Sequence, residues 1–141
     1  MGRWDSLKAL WDRACSEGVC VCYELSSEEH ADLSGWFHED PRETGPQIGI
    51  MRSQCPGAID EPERGDFEVD DLITLAHEYG HFRSWKDWTE GKNAGWGEYR
   101  DARELFKVSP LGLTERQKKA ILAEEEQAWA RGVVTLKWSR F

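Results

Sequence analysis

The sequence predicts an α+β fold in which a short sheet of two or three strands packs against helices. Three observations carry this. Apolar residues recur at helical spacing near the start, a β-branched alternating stretch follows, and the second half reads as successive helices. The 141 residues suit a single domain spanning 1–141, with a core large enough to stand without disulfide staples.

The first helix rests on Trp4, Leu7, Trp11, Ala14 and Cys15, and stops near Gly18. Residues 19–25 alternate Val, Cys, Val, Cys, Tyr and form a strand, with Cys20 and Cys22 serving as small apolar residues on one of its faces. Residues 26–46 are polar and hold Gly35, Pro41, Gly45 and Pro46, so they read as a long loop. A second strand covers 48–52. Residues 56–65 are loop again, with a brief extended piece at 58–60.

The strongest helical pattern runs from 68 to 85. Glu68, Asp70 and Asp71 crowd its first turn, where negative charge suits the helix dipole. Leu72, Leu75, Ala76, Tyr79 and Phe82 form its apolar stripe. A Gly-rich connection leads to a short helix at 98–106. Thr114 and Gln117 have capping-box spacing and open a last helix that runs to about Gly132. The run 133–138 is apolar and β-prone, and the pattern assigns it no place.

Net charge is −9, and Lys and Arg are scattered, so the electrostatic footprint of a nucleic-acid partner is missing. No stretch is apolar and long enough to span a membrane. The charged, amphipathic N-terminus is unlike a secretory signal, and four cysteines without zinc-ribbon spacing read as reduced thiols. A cytoplasmic protein is the expectation.

Chemistry concentrates in HEYGH. His77 and His81 are four residues apart, so successive turns of one helix present both imidazoles on the same side. Two such nitrogens can share one tetrahedral Zn²⁺. Glu78 lies around the helix from them, placed to take a proton from a zinc-bound water and pass it to a leaving amine. Gly80, in mid-helix, marks close packing.

A catalytic zinc needs a third protein ligand. Asp87 has metzincin-like spacing, but Ser84 stands where that pattern needs Gly, and both Met residues precede the motif, leaving no Met-turn. The alternative is ILAEEEQAWARG. Helical phase selects Glu125, which shares a stripe with Ile121, Ala128, Trp129 and Gly132; Glu126 is the next choice and Glu124 the third. His30 and His38 lie in the polar loop and read as surface or structural groups. Tyr99 is the candidate for stabilising an oxyanion.

LITLAHEYGHFRSW followed by EEEQAW resembles the compact gluzincin-type metallopeptidases, the minigluzincins and the ImmA/IrrE-like enzymes. The resemblance implies a small zincin-like domain with an active-site helix and a C-terminal glutamate helix. It implies His77 and His81 as zinc ligands, Glu78 as general base and a Glu of the last helix as third ligand. It also implies a peptide or protein substrate held by strand addition to an edge strand, expected at 48–52. The expected function is therefore zinc-dependent hydrolysis of peptide bonds. The alternative is a zinc-binding regulatory or partner-binding protein with little general proteolytic activity.

Overall fold

A computed structural model describes residues 2–26, 34–39, 45–54, 56–92 and 95–139, with side chains through 136. The chain is α+β, with four helices and a small mixed sheet: α1 Arg3–Ser16, β1 Cys20–Leu25, β2 Gly35–His38, β3 Gln47–Arg52, α2 Val69–Thr89, α3 Gly95–Val108 and α4 Glu115–Ser139. None of the described helices is long and apolar enough to cross a membrane.

The sheet order is β1-β3-β2. β1 runs parallel to β3, with Val21 opposite Ile48, and β2 runs antiparallel to it, with Phe37 opposite Ile48. β3 is thus the central strand and not the expected edge. Its residues Ile48, Gly49, Ile50 and Met51 are buried in succession: Ile48 and Ile50 face the core under the helices, and on the other face the Trp36 side chain lies over Gly49. β2 is the strand that sequence reasoning read as loop. Four residues, GWFH, flanked by polar and Gly/Pro-containing segments, give too short an alternation to register.

One apolar core joins the elements. Leu7, Leu10, Trp11 and Ala14 of α1 meet Val21 and Tyr23 of β1, Ile48 and Ile50 of β3, and Leu72, Leu75, Tyr79 and Phe82 of α2. Cys20 and Cys22 share one face of β1, the face away from the core. The alternation of β1 turns Val21 and Tyr23 inward and the two cysteines toward solvent, because Val and Tyr bury more apolar area. Cys55 and His30 lie outside the described residues. The piece at 58–60 forms no strand, although the Ile59 carbonyl accepts a hydrogen bond from the Tyr23 amide of β1.

A buried polar joint fixes the sheet to the start of α2. Arg52 of β3 donates to Asp71 at 2.9 Å and to Glu68 at 3.1 Å, and Tyr23 of β1 donates to Asp71 at 3.4 Å. Asp71 also caps the helix, accepting from the Glu68 amide.

The capping box of α4 is reciprocal: the Thr114 amide donates to the Gln117 side chain at 2.8 Å, and the Gln117 amide to the Thr114 hydroxyl at 3.2 Å. α4 then continues through the β-prone run at 133–138. Gly132 and Thr135 remain buried and Leu136 packs against the core, so tertiary contacts override local preference.

Candidate metal centre

Helix α2 touches all three other helices and two strands, and it is buried on more than its apolar stripe. Glu78, His81 and Ser84 are buried as well as Leu75, Tyr79 and Phe82. What lets α4 reach the histidines is a backbone-to-backbone crossing. A Cβ on Gly80 would stand 2.8 Å from the Cα of Ala128, and one on Gly132 would stand 2.9 Å from the Ala76 carbonyl oxygen. Only glycine fits at either position, and the crossing draws Glu124 and Glu125 up to the imidazoles.

The Nε2 atoms of His77 and His81 face one another at 3.1 Å. Glu125 closes the cluster, one oxygen 3.1 Å from His77 Nε2 and the other 3.4 Å from His81 Nε2. These three side chains offer ligand atoms all within 4.8 Å of one another, so they can hold a metal ion. Tetrahedral donors about 2.0–2.1 Å from a zinc ion are themselves about 3.4 Å apart, so the donor set fits that ion with little adjustment.

Glu124 occupies the other side of His81. Its carboxylate accepts from Nδ1 at 2.6 Å, and both side chains are about 5% exposed. In the neutral imidazole that bond selects the tautomer in which Nε2 keeps its lone pair for the cluster. His77 has no such partner among the described residues: its Nδ1 is buried without a hydrogen bond to any of them, and its ring packs on Trp129 with centroids 4.1 Å apart.

The charges follow from this crowding. Burial pushes the His81 imidazolium toward neutrality, but hydrogen bonds to Glu124 and Glu125 outweigh it and raise the pKa to about 9. Burial pushes the Glu125 carboxyl up, yet the hydrogen bonds from His77 and His81 prevail and hold it well below the usual carboxylate range. Glu78 is raised, because burial outweighs the pull of the two histidines. Tyr99 stacks on His81 with centroids 5.5 Å apart and donates to Glu125 at 3.2 Å. Burial, then the Glu125 charge, keeps its phenol protonated far above the ordinary range.

The cluster opens into a cavity of about 750 Å³. One wall is β2 with its flanks, residues 34–39; the other is α3, with Trp96, Tyr99, Arg100, Arg103 and Lys107. Gly35 brings the β2 wall close. A Cβ there would lie 2.8 Å from the Gly49 carbonyl oxygen and 3.4 Å from Glu78 Cγ, so the strand rests almost on that carboxylate's stem.

Of the residues singled out from sequence, His77, Glu78, His81, Glu125 and Tyr99 all line this cavity. Asp87 stands apart from the cluster, held by Arg131 at 2.9 Å and Arg83 at 3.9 Å. Glu126, the next choice from helical phase, is exposed, and Glu124, the third choice, is the neighbour that turns inward. His38 is an exposed cleft residue on β2, its ring tilted against Trp36 with centroids 4.5 Å apart. Sequence reasoning missed the orienting contact of Glu124 and the whole β2 wall. It also missed Arg103, although the i, i+3, i+7 spacing of Arg100, Arg103 and Lys107 was readable on α3. No protein-family model, curated protein or solved structure matches the chain.

Proposed function

We propose that the protein is a zinc-dependent peptidase of gluzincin type, with a small zincin-like fold. The observation that carries this reading is the convergence of two Nε2 atoms and one carboxylate from α2 and α4, beside a buried, unliganded carboxylate in an open cleft. His77, His81 and Glu125 hold the ion, and Glu124 orients His81 through Nδ1. When bound there, zinc supplies Lewis-acid polarisation of the scissile carbonyl and acidifies water.

The chain's own residues do the rest. Glu78, its pKa raised by burial, accepts a proton from the attacking water and delivers it to the departing amine nitrogen. The Tyr99 hydroxyl, protonated throughout the working range, donates a hydrogen bond to the oxygen that gains charge. The peptide lies extended along the outer edge of β2, which pairs with β3 on its other side and with no further strand among the described residues. Gly35 sets that peptide close to Glu78.

The test is a comparison of the parent with Glu78→Gln. Elemental analysis should find about one zinc per chain in both, while only the parent cleaves a quenched-fluorescent peptide mixture. An amide cannot accept the water's proton, so undiminished turnover in Glu78→Gln removes the base from this scheme. Metal-loaded parent protein that cleaves nothing in the mixture overturns the peptidase reading itself.

A further inference from the structure

The whole chain carries a net charge of −9, which by itself attracts cationic ligands. The cleft contradicts that balance locally. Arg100, Arg103 and Lys107 lie at i, i+3 and i+7 on α3, continuing the stripe of Trp96 and Tyr99 that faces the metal cluster. Two of these cations are already engaged. Arg100 pairs with Glu39 at 3.6 Å and with Asp101 at 3.7 Å, and Lys107 pairs with Glu104 at 3.1 Å.

Arg103 differs. Among the described residues it makes no ion pair; its guanidinium sits 6.0 Å from the Phe106 ring centroid. It is half-buried on the cavity wall, and its charge is felt by both Glu78 and Tyr99. A half-buried guanidinium without a carboxylate partner, facing a cavity, has a bidentate docking position to offer. Most acids of the same cavity are engaged by other groups: Glu24 accepts from Trp36, Glu39 from Trp96, Glu104 pairs with Lys107, and Glu125 closes the metal cluster, while the buried Glu78 feels the charge of Arg103 without pairing to it among the described residues.

We propose that Arg103 is a specificity-determining residue that receives a carboxylate of the bound peptide, so that the cleft selects acidic peptides. The inference rests on the peptidase reading for the identity of the ligand as a peptide. The carboxylate comes from an acidic side chain or from the peptide's C-terminus, and both present the same planar anion to the guanidinium.

The experiment measures fluorescence anisotropy of short labelled peptides with the full-length, zinc-loaded Glu78→Gln protein, in which binding is read without turnover. The probes are C-terminally amidated peptides carrying alternate Glu, Gln or Lys, and a Gln peptide with a free C-terminus. Each is also offered to the parent for cleavage. At low salt, the amidated Glu peptide should bind about tenfold more tightly than its Gln counterpart, and the gap should close as salt is raised. Adding Arg103→Gln should erase the preference, and adding Arg103→Glu should turn it toward the Lys peptide, with zinc content unchanged in both.

A preference seen only for the free C-terminus, and lost in Arg103→Gln, supports the same site with the terminal carboxylate as its source. Equal binding of Glu and Gln peptides with no gain from a free C-terminus, or a carboxylate preference that survives both substitutions, overturns the proposal. The two readings fail separately. Arg103-dependent binding of acidic peptides that the parent never cleaves sinks the peptidase and keeps the carboxylate site. Indifferent cleavage of all the peptides, unaffected by Arg103→Gln, does the reverse.

Discussion

Glu124 and Glu125 are adjacent in sequence, yet they meet opposite nitrogens of the same imidazole: Glu124 at Nδ1, Glu125 at Nε2. Their removal should differ accordingly. If the proposed zinc site is right, Glu125→Ala deletes a ligand and should weaken zinc binding most. Glu124→Gln should cost about 10–100-fold, the usual effect of losing a partner that orients a ligating histidine. Asp87→Ala and Glu126→Ala should leave affinity nearly unchanged, since Asp87 is occupied by Arg131 and Glu126 faces solvent. Competitive chelator titration of the four variants ranks them, and a dominant loss in Asp87→Ala would refute the assignment. The stripe Ile121–Ala128–Gly132 told which way α4 faces. It selected Glu125 but placed Glu126 ahead of Glu124, whereas Glu124 is buried against His81 Nδ1 and Glu126 is exposed, because an apolar arc some 100° wide leaves open which neighbour of Glu125 turns inward until the position of α2 decides it.

At the level of elements, the site depends on how closely two helices cross. Gly80 and Gly132 are each other's counterparts at that crossing, and the atoms a Cβ would strike are backbone. Gly80→Ala gains about 1 kcal/mol in helix propensity but overpacks a contact that no rotamer change can relieve, at about 1–3 kcal/mol. The expected outcome is a net loss of stability in denaturant titration together with weakened zinc affinity, as Glu125 is pushed off the histidines. A stabilised variant with unchanged metal binding would show the crossing to be looser. Long amphipathic helices such as α2 were legible because their period repeats several times, and Gly80 itself signalled the contact. β2 was not legible. A strand of four residues is defined by the partner it pairs with, and that partner, β3, follows a polar stretch nothing local connects to it. The run 133–138 misled for a related reason, since its valines prefer strands but its Gly132–Thr135–Leu136 face was already committed to the core.

For the molecule as a whole, the proposed ligands on α2 and α4 join segments far apart in the chain; His81 and Glu125 are 44 positions apart. Zinc bound across them favours the folded state alone, so chelation should lower the melting temperature. The pH dependence has a definite sign. In the metal-free protein His81 titrates at about 9, above its ordinary value of 6.5. Its contribution to stability is therefore complete below pH 6.5 and is lost as pH rises through about 9. Zinc must displace that same proton, so its binding strengthens over the same interval. The gap in melting temperature between zinc-loaded and chelated protein should accordingly widen from pH 6.5 to 9 in scanning calorimetry. A gap that is constant or shrinks would separate His81 from the metal. The α+β class and the metal-side face of α2 were legible at this scale from composition and period; the order of strands was not, because parallel pairing of β1 with β3 leaves no mark in either strand alone.

Trp129 gives all this an optical consequence. Its indole is 48% exposed, lies within 4.1 Å of the His77 ring, and belongs to the same helix as Glu125. An imidazole packed that close to an indole changes the indole's surroundings when its nitrogen is tied to a cation. A metal ion held by His77 should therefore alter the emission of Trp129, one of the chain's eight tryptophans, and Trp129→Phe should remove that change.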